Sequence, residues 1–143
     1  MKGIRNMMYE ELTSEILKAC FEVSNELGVG YIESVYENAL FVALVQKGLR
    51  VERQVSLKVT FRGVIVGDFK ADMIVDDKVM LELKAVESLT KVHYAQLLNY
   101  LKSTGIEVGM VVNFGTTRLQ YRRFDNRFGS ELSFDEALKQ LLD

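Results

Sequence analysis

Hydrophobic residues recur at a helical period over the first third of the chain. Residues 9–27 carry an apolar stripe that predicts an amphipathic helix ending at Gly28, and residues 31–47 predict a second helix ending at Gly48. The second helix is apolar over much of its circumference, which predicts burial on more than one side. The stripe of the first helix consists of Leu12, Ile16, Ala19, Cys20, Val23 and Leu27.

From Val51 the hydrophobic period changes to two, which predicts strands. The segments QVSLKVTF and VIVGDFKADMIV flank a turn at Arg62-Gly63, and KVMLELKAV follows. Three alternating segments joined by short turns predict an antiparallel meander.

The second half of the chain returns to a helix before two more strands. Thr90 is placed to cap a helix that ends near Ser103 to Gly105, IEVGMVVNF has the character of an interior strand, and LQYRRF predicts a further strand. Ser133 and Glu136 have capping-box spacing and open a short helix over about 133–142. The order α-α-β-β-β-α-β-β-α predicts an α/β fold with a central mixed β-sheet flanked by α-helices.

Length and composition limit the class of protein. The chain has 143 residues, which suits one domain, and its 48% hydrophobic and 27% charged residues are ordinary for a globular protein. The net charge of −2 does not indicate a nucleic-acid coat protein or a membrane-surface protein. The single cysteine, Cys20, excludes an internal disulfide, and no segment resembles a signal peptide or a membrane span. We therefore expect a reducing, cytoplasmic location and no membrane partner.

The loop length of the second hairpin decides which side chains face each other. A three-residue loop at residues 76–78 collects five apolar residues on one face and places Asp72 opposite Glu82 on the other, with Lys84 beyond. A two-residue loop would mix apolar and charged residues on both faces, so the pattern favours three. The apolar face would hold Met73, Val75, Val79, Leu81 and Leu83.

Two carboxylates placed in this way are roughly 5 Å apart at Cβ and repel each other unless a cation lies between them. Lys84 supplies one positive charge, whereas a divalent cation would supply two, and carboxylates with water are the ligands that Mg²⁺ prefers. The commoner meaning of such charges is a solvent-facing polar surface with a Glu–Lys pair. Ile74 and Met80 lie on the same face, which favours a partly covered site.

Polar residues also follow helical spacing in the second and third helices. Glu33 and Tyr36 are i and i+3 neighbours, and His93, Gln96 and Tyr100 form a stripe of their own. Each group alone fits a simpler interpretation: a Glu at a helix N-terminus, a packed Tyr ring, and a solvated helix face.

These residues together resemble the GxxExxY family of small prokaryotic proteins. Gly30, Glu33 and Tyr36 in GYIESVY spell the motif of that name. The similarity covers roughly residues 10–124, and the segments ELKAVE, AQLLNYL and NFG make it specific. The residues after about Phe124 have no counterpart.

The same family lies within the PD-(D/E)XK nuclease superfamily. Its signature resembles Asp72, then Glu82-Leu83-Lys84 as E-x-K, then Gln96, with Ala71 in place of the proline. The resemblance implies one nuclease-like domain over residues 1–143 with a restriction-endonuclease-like core at about 10–124.

The resemblance further implies a metal-dependent phosphodiesterase site. Asp72, Glu82 and the backbone carbonyl of Leu83 would ligate Mg²⁺ or Mn²⁺, and Lys84 would orient or help deprotonate the attacking water and stabilise charge on the phosphate. Residues on the helices would support this centre: Glu33 at the metal directly or through water, Gln96 at the water or at Lys84, and Tyr36, His93 and Tyr100 around them.

An arginine-rich segment, TTRLQYRRFDNRF, is the candidate contact to nucleic acid. Arginine side chains suit phosphates, and the interleaved aromatic residues can stack on unpaired bases. A strand at the edge of the sheet, protected from aggregation by charge, explains the same pattern equally well. The arginines are Arg118, Arg122, Arg123 and Arg127.

Three functions remain open from the sequence. The first is a Mg²⁺-dependent nuclease, with DNA favoured over RNA as the substrate, which could work as a homodimer to cut both strands. The second is an inactive descendant that binds nucleic acid or a protein. The third is a small-ligand or regulatory domain that binds an anionic metabolite at the arginine-rich segment.

Overall fold

The computed structural model of the chain describes residues 9–125. In this region it contains the following elements: α1 Glu10–Leu27, α2 Glu33–Gln46, β1 Val51–Phe61, β2 Val64–Val75, β3 Val79–Lys84, α3 Lys91–Thr104, β4 Val108–Asn113 and β5 Gln120–Asp125. The predicted order is therefore found from α1 to β5, and no helix in the described region is long and apolar enough to cross a membrane. The predicted C-terminal helix at about 133–142 lies outside the described residues, as does Arg127.

The five strands form one mixed sheet in the order β1-β2-β3-β4-β5. The first three strands are antiparallel neighbours, β3 and β4 are parallel, and β4 and β5 are antiparallel. α3 is the crossover connection that the parallel pair β3–β4 requires. The predicted meander and the mixed sheet are thus confirmed, and β5 forms one edge of the sheet.

The hairpin of β2 and β3 has the predicted three-residue loop. Val75 pairs with Val79, and Met73 pairs with Leu81, which is the register that the apolar pattern selects. The face with Met73 and Leu81 packs against α1 and α2, whereas the other face of the same strands packs against α3. The loop length therefore determines which helix layer covers the charged residues.

Both faces of the sheet carry a hydrophobic core, so its central strands are buried on both sides. Every residue of β4 is buried, as are the first five residues of β3, which explains their near-continuous apolar sequence. Two polar residues are buried within these strands, Glu82 at 3% exposure and Asn113 at 0%. A buried polar group usually has a hydrogen-bond partner or a functional role. Asn113 has a structural role, whereas Glu82 belongs to the candidate site.

Asn113 fixes the segment that follows β3. Its side-chain oxygen accepts hydrogen bonds from the backbone N–H of Val86 at 2.9 Å and of Gly115 at 3.0 Å, and its amide donates to the carbonyl of Val86 at 2.9 Å. Gly115 approaches so closely that a Cβ atom there would lie 2.3 Å from the Val86 carbonyl oxygen. Asn113 therefore acts as a structural clamp that holds the chain just beyond Lys84.

The prediction that α2 is buried on more than one side is wrong. Its buried residues lie on the side that faces α1 and the sheet, whereas Val42 and Val45 are 53% and 48% exposed. No element of the described region covers their side of the helix. The even distribution of apolar residues around α2 therefore reflects an exposed apolar surface rather than a second packing interface.

The side chains of β1 switch from one face of the sheet to the other at Gln54. Gln54 has a left-handed backbone conformation with φ 50°. Arg53 contacts Glu37 of α2 at 2.8 Å, whereas Val55 packs with the cluster around α3. In a regular strand these two side chains would share a face. Gln54 and Asp72 are the two residues without a partner between the pairs Arg53–Met73 and Val55–Ala71 of β1 and β2, so the backbone is irregular where the candidate site begins.

Candidate active site

Asp72 of β2 and Glu82 of β3 lie side by side where the paired region of the two strands ends. The last paired positions are Met73 and Leu81. Beyond them, Asp72 Oδ2 accepts a hydrogen bond from the backbone N–H of Leu83 at 2.7 Å, and Glu82 Oε1 accepts one from the backbone N–H of Asp72 at 3.3 Å. Both carboxylates are thus oriented by the backbone of the sheet rather than by mobile side chains.

Burial makes the negative charges of this pair costly. Burial, and after it the negative charge of Asp72, raises the pKa of Glu82 from 4.5 to about 8. Burial also raises the pKa of Asp72, and the charge of Glu37 adds to this, whereas the hydrogen bond from the Leu83 N–H lowers it. The pair therefore retains a proton near neutral pH unless a cation compensates the two charges.

Lys84 lies on the same side of the sheet as the two carboxylates and is held by α3. Its ammonium Nζ donates a hydrogen bond to Gln96 Oε1 at 3.2 Å, and Gln96 Nε2 donates to Tyr100 Oη at 3.1 Å. The positive charge of Lys84 lowers the pKa of both Asp72 and Glu82, although burial outweighs it. Gln96 and Tyr100 therefore position an ammonium group within electrostatic range of the carboxylate pair.

Glu33 approaches the same region from the first turn of α2. Burial is the largest cause that raises its pKa, and the negative charge of Asp72 follows, while the positive charge of Lys84 lowers it. The carboxylate of Glu33 thus senses residues from β2 and β3, which are distant in sequence. Glu33, Asp72, Glu82 and Lys84 therefore lie within electrostatic range of one another.

Tyr36 supports this arrangement from within the core rather than from the carboxylate cluster. Its hydroxyl donates to the carbonyl oxygen of Gly28 at 2.6 Å and accepts from the backbone N–H of Tyr31 at 3.2 Å. Its ring stacks on Phe114 with 5.0 Å between the centroids. Tyr36 thereby fixes the loop that leads into α2 and presents Glu33.

His93 lies in the first turn of α3, where it closes the helix N-terminus. Its Nδ1 accepts a hydrogen bond from the backbone N–H of Thr90 at 3.0 Å. Burial and the positive charge of Lys84 both lower the pKa of His93. The imidazole is therefore near enough to sense the ammonium group, but its described hydrogen bonds serve the helix cap.

Sequence reasoning missed Glu37, which connects α2 with Asp72. Glu37 is buried, and its two oxygens accept hydrogen bonds from Arg53 Nη2 and from Gln54 Nε2, each at 2.8 Å. Gln54 Nε2 also lies 3.5 Å from Asp72 Oδ1. The spacing of Glu33 and Glu37 by four residues was the available signal, since it places both on one face of a helix.

Comparison with protein-family models gives a match over residues 10–124 to the PD-(D/E)XK nuclease superfamily. The chain belongs to this superfamily. The matched range contains the whole carboxylate cluster, so the superfamily predicted from sequence is confirmed, and the match supports a nuclease. Comparison with curated proteins gives no match.

Solved structures similar to this chain include the following two proteins. The protein SSO0001 is 19% identical with a TM-score of 0.50, and the similarity covers 78% of this chain and 59% of that one. An alkaline exonuclease from Laribacter hongkongensis is 13% identical with a TM-score of 0.49, covering 76% of this chain and 63% of that one. The chain spans about three-fifths of the length of these proteins. The structural similarity concerns the fold, and the predicted fold class is confirmed.

PD-(D/E)XK nucleases generally use divalent metal ions, and the donor set of this chain fits such an ion. Half-buried Asp72 and buried Glu82 offer oxygen atoms in a net-negative setting, which suits a hard dication. Among the described residues, no group of three or more His, Cys, Asp or Glu side chains is arranged to hold a metal ion. Asp72 and Glu82 would therefore be the two carboxylate ligands, and water and substrate oxygens would have to complete the shell of a bound ion.

The arginines of β5 lie apart from the carboxylate cluster and on two faces of the sheet. Arg122 lies over the ring of Tyr94, with 5.4 Å from Cζ to the centroid, and Arg123 donates to Thr13 Oγ1 of α1 at 3.3 Å. Tyr94 and Gln96 are roughly 200° apart around α3, so Arg122 and Lys84 contact different sides of that helix. Arg118 is exposed just before β5. Their contact to nucleic acid stays a prediction.

Proposed function

We propose that this chain is a divalent-metal-dependent nuclease that hydrolyses phosphodiester bonds in nucleic acid, with DNA favoured over RNA. The observation that supports this most directly is the pair of half-buried Asp72 and buried Glu82 with the ammonium group of Lys84 on the same side of the sheet. A structural salt bridge would not need two adjacent carboxylates whose pKa values are both raised.

In the proposed mechanism, Asp72 and Glu82 hold the metal ion, and the Leu83 carbonyl is available as a third oxygen. When bound, the ion lowers the pKa of a coordinated water and neutralises charge on the phosphate oxygens. Backbone N–H groups bind one oxygen of each carboxylate, which leaves the other oxygen of each for the ion. Glu33 supplies a further negative group from α2, directly or through water.

Lys84 has the role of charge stabilisation in this proposal. Gln96 accepts one of its three ammonium protons, which leaves two for the attacking water and a phosphate oxygen. Tyr100 receives the amide N–H of Gln96, so the amide oxygen of Gln96 is the atom that meets Lys84. The ammonium group is thereby preorganised before substrate binds.

The finer assignment to the GxxExxY family is also a proposal, supported by what each motif residue does. Gly30 adopts a φ of 112°, which only glycine reaches at low cost. Tyr36 ties the same loop to Gly28, and Glu33 follows it toward the carboxylates. The three motif residues therefore act together, because Gly30 and Tyr36 shape the loop that positions Glu33. Homodimerisation and a cytoplasmic location stay predictions.

Calorimetric titration of the metal-free protein with Mn²⁺ tests the proposal. We expect binding to the wild type that is lost in Asp72→Asn, because this variant removes one ligand charge without changing the side-chain size. Asp68→Asn is the matched control, since Asp68 lies on the same strand but bonds Lys58 at 2.6 Å on the exposed surface; it should bind Mn²⁺ as the wild type does.

Incubation with single-stranded, duplex and branched DNA, and with the corresponding RNA, then tests turnover. We expect cleavage that requires Mg²⁺ or Mn²⁺ and is absent in Asp72→Asn. A wild-type protein that binds neither ion and cleaves none of these substrates contradicts the proposal and favours an inactive nucleic-acid- or protein-binding descendant.

A further inference from the structure

A groove runs between α3 and the hairpin of β1 and β2, beside the carboxylate cluster. Its volume is about 760 Å³, which lies within the range of pockets that hold small molecules. One wall is the flank of α3 and the other is the inner side of the hairpin. The groove is lined by Lys58, Val59, Thr60, Phe69, Val92, Ala95, Gln96, Asn99, Tyr100, Lys102 and Ser103.

The groove adjoins the proposed catalytic centre through shared residues. Gln96 and Tyr100 line it, and the same Gln96 accepts the hydrogen bond from Lys84 at 3.2 Å. A molecule in the groove would therefore lie next to the side chain that positions the catalytic ammonium group.

The chemistry of the lining fits a nucleobase better than a phosphate. Aromatic, aliphatic and neutral hydrogen-bonding side chains dominate, and no carboxylate is among the described residues that line the groove. Of its two lysines, Lys58 bonds the carboxylate of Asp68 at 2.6 Å, while Lys102 adds positive charge. Such a mixture offers an apolar surface for a base and the amide of Asn99 for its polar edge.

Phe69 is the central feature of this surface. Its side chain is 44% exposed, although it sits on a strand packed against α3. The ring centroid lies 5.7 Å from that of Tyr100, and a Cβ atom on Gly67 would lie 2.7 Å from Phe69 Cε2. The ring is thus held between Gly67 and Tyr100, so its exposed face is available for stacking at little entropic cost.

We propose that this groove binds an unpaired nucleotide of the strand that is cut at the carboxylate cluster, with its base against Phe69. The inference rests on the proposed nuclease function and adds a preference to it. A base in a regular duplex is already stacked and cannot enter the groove, so single strands and frayed ends would bind better than blunt duplexes.

Binding of a fluorescent single-stranded DNA to the full chain, followed by anisotropy in Mg²⁺, tests the groove. The measurement uses a Glu82→Gln background so that the DNA is not cut. Phe69→Leu keeps an apolar side chain but removes the aromatic face, and it should weaken single-strand binding about tenfold. Phe69→Trp should retain the affinity, and blunt-duplex binding should not change. Phe61→Leu is the matched control, because Phe61 is 59% exposed on the same hairpin but does not line the groove.

In the cleavage-competent protein, Phe69→Leu should raise KM for single strands about tenfold and leave kcat unchanged. Single-strand affinity of Phe69→Leu equal to wild type, or an equal loss in Phe61→Leu, overturns the proposal. A loss of single-strand affinity in Arg122→Ala, with no loss in Phe69→Leu, also overturns the proposal, because it indicates that the DNA strand binds at β5. Cleavage by the wild type together with any of these results leaves the nuclease function standing, whereas a wild type that binds no nucleic acid overturns both.

Discussion

The centre and the edge of the sheet carry similar numbers of charged residues in opposite settings. At the centre, Asp72 and Glu82 lie among buried strands, and burial raises the pKa of both. At the edge, Arg122 and Arg123 of β5 lie on opposite faces and contact a Tyr ring and a Thr hydroxyl on the helices. Both regions looked like candidate functional surfaces in the sequence.

The difference between the two regions is whether the charge is compensated by the protein itself. Arginine keeps its charge in nearly any environment and can cover apolar surface with its stem, so the edge strand is stable as it stands and is protected against pairing with other chains. The two central carboxylates have one ammonium group and a few N–H donors between them. A further cation would therefore stabilise the carboxylate pair at the centre, whereas the arginines at the edge are stable without a bound ion.

The largest expected effect is on turnover when the central ammonium group is removed. Lys84→Met keeps the length of the side chain but loses its charge, and we expect kcat to fall by about 10²- to 10³-fold, as when a preorganised charge stabiliser is lost. Arg122→Met makes the same kind of change at the edge and should leave kcat within about twofold, since its guanidinium lies over Tyr94. Single-turnover cleavage measures both, and equal losses would remove the distinction between the regions.

The next effect concerns Glu37, which acts on the centre through Gln54. Glu37→Gln should lower activity or Mn²⁺ affinity by about 10- to 100-fold, the usual result of losing a group that orients a metal ligand. The control is Glu26→Gln on the exposed side of α1, which should have no effect. Glu37→Gln with wild-type Mn²⁺ affinity and turnover would limit Glu37 to a structural role.

The third effect is on stability as a function of pH. The pKa of Glu82 is about 8 in the folded protein and 4.5 when unperturbed, so the folded state binds a proton more tightly across that window. The metal-free protein should therefore lose stability as pH rises from about 5 to 8, because stability falls where the folded state binds more protons. Thermal melting at several pH values measures this.

Further variants and added Mg²⁺, in the same melting experiment, distinguish the carboxylate pair at the centre from the arginines at the edge. Glu82→Gln should flatten the pH dependence because it removes the titrating group, and Mg²⁺ should flatten it because the ion favours the anion. Arg122→Gln should keep the wild-type slope. A metal-free protein whose melting temperature is constant from pH 5 to 8 would show that the central charges are compensated in some other way.

The smallest effect is expected on the salt dependence of nucleic-acid binding. An arginine that contacts a phosphate contributes about 0.7 to the slope of log affinity against log salt for a single strand. Because Arg122 and Arg123 already contact residues of α3 and α1, we expect alanine at either position to change the slope by less than about 0.7. A larger decrease would establish β5 as a phosphate-binding surface.

Short-range patterns carried much of the fold and the main part of the candidate site. The alternation of apolar residues selected the three-residue loop, and this register alone places Asp72 beside Glu82. The E-x-K spacing placed Lys84 on the same face as Glu82, since side chains two apart in a strand share a face. These inferences held because they depend only on the geometry of one hairpin.

Features that depend on contacts between distant elements could not be predicted from such short-range patterns. The partner of Glu37 comes from β1, and Gln54 adopts a left-handed backbone conformation that its residue type does not favour. The exposed side of α2 was mistaken for a buried one, because apolar periodicity does not say whether another element is present to cover it.

The sequence by itself determined the elements, the register of the central hairpin and the identity of the acidic and basic groups. Only the tertiary structure decided which of those charges became costly: Glu82 is enclosed by α3 and neighbouring strands, whereas the arginines of β5 reach contacts at the edge. The physical reason is that the cost of a charge depends on the solvent and partners that surround it, and the folded chain assembles those surroundings from residues far apart in sequence.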